Sequence, residues 1–103
     1  MSLKALSGTS WTADMRLIFT KSFNKDIDKI RHLSQVKNEL KTLLITLQNA
    51  TSLTDVDHVR KLQGYSNYYR LRSGDYRLGI KLAEDHIEVI RFLHRKDIYR
   101  RFP

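Results

Sequence analysis

The chain of 103 residues has no cysteine. That excludes a disulfide scaffold, a Cys-ligated metal centre and thiol catalysis, and it fits a reducing compartment such as the cytoplasm. No apolar run approaches the roughly 20 residues of a membrane span, and no N-terminal apolar segment leads to a cleavage site. Neither a membrane partner nor a secretory signal is therefore expected. No carboxylate cluster shows metal-ligand spacing, so no metal or other cofactor is expected. Acidic residues are also scarce, with 11 Asp and Glu against 19 Lys and Arg, a formal net charge of +8.

The basic excess is uneven. Residues 1–59 hold 8 Lys/Arg against 6 Asp/Glu, a net of +2, while residues 60–103 hold 11 against 5, a net of +6. A basic half points to a polyanionic partner: nucleic acid, an anionic membrane or an acidic protein. The hydrophobic fraction of 41% argues against global disorder, and the length suits one domain with a modest core.

Residues 1–14 lack periodicity and read as a tail, so the domain is expected over 15–103. Met15–Thr20 is a short β-prone run. Phe23, Ile27 and Ile30 form one apolar helical stripe, with Ser22 as a candidate N-cap. Val36, Leu40, Leu43, Leu44 and Leu47 form a second, predicting a helix over 34–48 capped by Ser34. Both stripes read as core. The polar stretch 49–60 reads as a connecting loop. From residue 65 the period changes to two, with turns at Ser73-Gly74-Asp75 and Glu84-Asp85, which predicts three consecutive strands. The expected architecture is α+β, in the order β-α-α-β-β-β: an antiparallel sheet with the two helices covering one face.

Strand parity gathers chemistry on the other face. A turn at Gly74-Asp75 pairs Arg72 with Arg77; a turn at Ser73-Gly74 pairs Arg70 with Arg77. Either register puts Arg70, Arg72 and Arg77 on one face, opposite Tyr69, Leu71, Tyr76 and Leu78. Like charges across strands are destabilising, so three arginines together imply a ligand that neutralises them, and the guanidinium fork suits phosphate oxygens. A tight turn at Glu84-Asp85 sets Phe92 opposite Arg77 and His94 opposite Asp75, adding both to this face. Arg91 falls on the apolar parity, where it either snorkels or pairs with an acid. Arg95 and Lys96 follow at the strand end, with Tyr99 about one helical turn further.

Cations interleaved with aromatic rings suit splayed single-stranded RNA. They also suit RNA cleavage, in which the 2′-OH attacks the adjacent phosphate, cations stabilise the transition state and no metal is required. His94 is the candidate proton carrier, since arginine does not deprotonate. The candidate catalytic set is Arg70, Arg72, Arg77, His94, Arg95 and Tyr99. Lys61, Lys81, Phe92, Lys96 and Arg100 complete the candidate RNA-binding set. His32, His58 and His86 have no metal-like spacing and receive no role.

The segments Lys61–Tyr65, Tyr69–Arg77 and His94–Arg100, together with the opening Met15–Phe23, resemble the RelE branch of the RelE/ParE toxin superfamily, over about residues 15–101. The resemblance implies a microbial RNase-like α/β fold and cleavage of mRNA in the ribosomal A site. It also implies a cognate antitoxin that inhibits the toxin, and operator DNA bound through the joint complex. In the family pattern two basic residues after a tyrosine match Arg70 and Arg72, a further arginine matches Arg77, and a terminal arginine and tyrosine match Arg95 and Tyr99. Well-known members have lysine at the first two positions, one proposed as general base; arginine there moves the proton-carrying role to His94. Two alternatives stand beside this reading: a ParE-like gyrase inhibitor, and a non-catalytic basic module that binds or represses.

Overall fold

The computed structural model describes residues 16–103. The expected tail, residues 1–14, lies outside the described residues. Nine elements follow in order: β1 (Arg16–Phe19), α1 (Lys21–Lys29), α2 (Ser34–Asn49), a 3-10 turn (Leu53–Asp55), β2 (Val59–Lys61), β3 (Tyr68–Ser73), β4 (Tyr76–Leu82), β5 (His86–His94) and α3 (Arg95–Arg101). Among the described residues no helix is long and apolar enough to cross a membrane.

Both apolar stripes form helices, with caps that differ from the expected ones. Thr20, not Ser22, caps α1, its hydroxyl accepting from the Phe23 N–H. Ser34 is the first residue of α2 rather than its cap, and the capping position holds Leu33, which makes no side-chain cap. The helices set Phe23, Ile30, Leu40 and Leu47 against one sheet face, where Leu71, Leu78, Ile80, Ile87 and Val89 are fully buried.

The five strands run in the order β1-β5-β4-β3-β2. The meander from β3 to β5 is as expected, and Arg72 pairs with Arg77 across the Gly74-Asp75 turn. Two expectations fail. The sheet is mixed, because β1 runs parallel to β5. Parallel neighbours need a long crossover, and α1, α2 and the meander supply it. The stretch read as a loop also contains β2, which pairs antiparallel with β3.

A bulge in β5 changes the site. The register expected from the β4–β5 turn holds for Leu82–Ile87, Lys81–Glu88 and Ile80–Val89. One extra residue then enters β5, and the pairs become Gly79–Arg91, Leu78–Phe92, Arg77–Leu93 and Tyr76–His94. A one-residue slip exchanges the two faces of a strand. Phe92 therefore turns into the main core, 1% exposed and stacked on Tyr76 at 5.1 Å, and is not an RNA-binding residue on the open face. His94 moves beside Tyr76 instead of facing Asp75.

Backbone groups at the bulge find partners in the first helix. The Thr20 hydroxyl donates to the Ile90 carbonyl at 2.9 Å. Asp26, 2% exposed, accepts from the Phe92 N–H at 2.9 Å and from Arg91 Nε and Nη2 at 2.8 and 2.9 Å. Arg91 is thus paired with an acid, and α1 pins the register of β5.

Helix α3 covers part of the opposite sheet face. Its Ile98, with Phe102 just beyond, packs with Leu62 against Tyr68, Ile90 and Leu93 in a second, smaller core. Gly79 makes room for this: a Cβ there would stand 2.7 Å from the Phe102 ring. The part of that face left uncovered is the cleft described next.

Candidate active site

Parity in β3 and β4 directs Arg70, Arg72 and Arg77 to the face opposite α1 and α2. Beside them, α3 presents Tyr99, 62% exposed, with the Arg70 guanidinium 4.4 Å from its ring centroid. The four side chains share a cleft of about 910 Å³ with Arg60 and Lys61 of β2 and with His58. Arg60 lies directly opposite Arg70, as Arg72 lies opposite Arg77, so two like-charge pairs stand two residues apart along β3. Arg77 is held in place by Nη1, which donates to the carbonyls of Gly74 and Tyr76 at 2.9 Å each. The other face of β3 adds Tyr69 to the cleft wall, where burial raises the phenol above its ordinary pKa.

The remaining expected residues lie elsewhere. His94 caps α3, its Nδ1 accepting from the Lys96 N–H at 3.2 Å, with its ring edge-on to Tyr76. The Arg95 N–H donates to the Asp75 carbonyl at 2.8 Å, tying the start of α3 to the β3–β4 turn, while its side chain is exposed. Lys96 is exposed, and Arg100 pairs with Asp97 one turn back at 3.0 Å. Lys81 stands near the far end of β4, over the Tyr68 ring. None of these five lines the cleft.

Among the cleft residues that sequence reasoning missed are Arg60 and His58. Both belong to the stretch read as a loop, and a three-residue strand is too short to show a period. Recognition of β2 would have placed Arg60 on the parity of Arg70.

Chemically, the cleft offers several permanent cations, a phenol and an imidazole on one open surface. Groups of this kind suit a phosphate-bearing polyanion, since guanidinium forks match phosphate oxygens.

The chain and its fold have known relatives. The family described as ParE toxin of the type II toxin–antitoxin system, parDE, matches residues 17–99. Toxin RelE3 of Methanocaldococcus jannaschii is 40% identical over 90 residues, covering 86% of this chain and all of that protein. The crystal structure of the RelB–RelE antitoxin–toxin complex from Methanococcus jannaschii matches with a TM-score of 0.68 at 39% identity, covering 84% of this chain and 99% of that one. The E. coli DinJ–YafQ toxin–antitoxin complex shares the fold, with a TM-score of 0.70 at 21% identity over 84% of this chain and 98% of that one. The chain therefore belongs to the RelE/ParE superfamily of type II toxin–antitoxin toxins, as a member of its RelE family.

Proposed function

We propose that this toxin is a metal-independent, ribosome-dependent mRNA endonuclease that halts translation in the cytoplasm. The observation that carries the reading is the sharing of one cleft by Arg70, Arg72, Arg77 and Tyr99. Cross-strand like charges cost stability, and a bound phosphodiester removes that cost. The arginines neutralise the scissile phosphate and its neighbour and stabilise the extra charge of the transition state. Tyr99 orients the 2′-OH or stacks on a base. Lys61 extends the cationic floor along the RNA backbone, and Arg95, Lys96 and Arg100 form a basic rim on α3.

His94 supports the site from outside the cleft. Its Nδ1 lone pair is occupied by the Lys96 N–H, so its task is to order the first turn of the helix that carries Tyr99. In this reading it is a positioning residue rather than the proton carrier.

The partners proposed are A-site mRNA on the ribosome and an acidic, helix-rich antitoxin, with operator DNA reached only through the toxin–antitoxin complex. The similar RelE of Methanococcus jannaschii is found with RelB. A net charge of +8 suits an acidic inhibitor as well as RNA.

Purified toxin added to ribosomes programmed with a defined mRNA tests this. Cleavage within the A-site codon, absent without ribosomes and blocked by the antitoxin, is the expected result. Intact mRNA, with inhibition of DNA gyrase by the same preparation, would move the target to the ParE type.

A further inference from the structure

His58 is outside the expected catalytic set, yet among the described residues it is the histidine that lines the cleft. Its carbonyl accepts from the Arg72 N–H at 3.2 Å, which sets it level with the Arg72–Arg77 rung, one position before β2 begins. Its backbone lies in the left-handed region, at φ 60°. That conformation is uncommon for a residue with a side chain, and such backbone strain concentrates at functional sites.

Other groups are less suited to carry a proton here. The arginines do not deprotonate. His94 is engaged as a helix cap, and His86 is held between Asp85 and Glu88 at the opposite end of β5. His32 follows α1 on the far side of the sheet and lines no part of the cleft. Asp57 adjoins His58 and is the one carboxylate in the cleft.

We propose that His58 is the general base of the ribonuclease reaction, an inference that rests on the function proposed above. Its neutral imidazole accepts the proton of the attacking 2′-OH. The O2′–P bond forms and the P–O5′ bond breaks. The departing O5′ takes a proton from solvent, and the products are a 2′,3′-cyclic phosphate and a 5′-hydroxyl. The charged groups that share the cleft with the imidazole are Asp57 in its own loop, Arg60 and Lys61 in β2, and Arg70, Arg72 and Arg77 in β3 and β4, with the Tyr99 phenol beyond. The cations stabilise the phosphate while the imidazole moves the proton.

The competing explanation is that histidine is present only because it tolerates a positive φ. Asparagine tolerates that conformation too, and glycine adopts it freely, but neither transfers a proton. Single-turnover cleavage of ribosome-bound mRNA, measured across pH for wild type, His58→Asn, His58→Gly and Asp57→Asn, separates the two. The expected result is a loss of about 100-fold or more in both His58 variants. Their melting temperatures should stay near wild type, and the pH dependence of the rate should flatten. Asp57→Asn should keep most of the rate. If wild type cuts and His58→Asn cuts equally at every pH, or if Asp57→Asn alone removes the activity, the role of His58 is overturned. If wild type does not cut, the ribonuclease reading falls and takes this role with it.

Discussion

The Arg70 guanidinium lies over the Tyr99 ring at 4.4 Å, joining the strand next to the sheet edge to the last helix. The contact assembles the cleft from segments 29 positions apart and leaves the phenol hydroxyl free to meet a ligand. Tyr99→Phe retains the stack and should change stability by less than about 0.5 kcal/mol, whereas Tyr99→Ala loses the stack and should cost about 1 kcal/mol at most. Cleavage should drop in both if the hydroxyl orients the 2′-OH. Full activity in Tyr99→Phe would reduce the residue to a stacking surface.

Asp26 and Arg91 make the second decisive contact. The carboxylate is buried and serves both the guanidinium and the Phe92 N–H. Removal of one partner from such a group strands the other, so Asp26→Ala should lose about 3 kcal/mol, read as a lower urea midpoint. Loss of the pin should also loosen the β5 bulge and lower activity without any change inside the cleft. A cost below about 1 kcal/mol would mean that the bulge is held by the core alone.

Arg72 opposite Arg77 trades stability for function. Arg72→Thr replaces a like-charge pair with a neutral β-former and should raise stability by about 0.5 kcal/mol. The same change should slow cleavage by about tenfold or more through the lost phosphate contact. Thermal melts and cleavage rates on one preparation check both signs. A drop in both would indicate that the arginine is structural.

His86 should give stability a pH dependence remote from the cleft. The hydrogen bond to Asp85, reinforced by Glu88 and opposed by burial, raises the imidazole above its ordinary 6.5, and the same bond holds Asp85 below 3.8. The raised histidine contributes stability that is complete below pH 6.5 and fades as pH rises through the raised value. The lowered aspartate contributes stability present above 3.8 and lost as pH falls through its depressed value. The pair is strongest between those limits. The melting temperature should therefore fall more from about pH 6 to about pH 8 in wild type than in His86→Gln. Equal slopes would contradict the linkage.

Much of this was legible in the residues. The Leu40–Leu47 stripe and the Tyr76–Leu82 alternation specify a helix and a strand because each has enough repeats to show its period. The arginine face was legible for the same reason, since Arg70, Arg72 and Arg77 lie where β3 and β4 pair without interruption. The failures are local. Three residues of β2 show no period, which hid Arg60 and His58. The bulge at Ile90-Arg91 has no glycine or other mark in β5, and its partners, Thr20 and Asp26, lie about 65–70 positions away. It moved Phe92 into the core and His94 to a helix cap. The parallel pairing of β1 is likewise a long-range choice that four residues do not announce.

The most direct test is to induce the toxin in cells and map RNA 5′ ends across translated messages, with Arg77→Ala as control. New 5′-hydroxyl ends within codons, absent from untranslated RNA and lost in Arg77→Ala, are the predicted outcome. Intact messages beside DNA-damage signalling, with Arg77→Ala equally toxic, would contradict it.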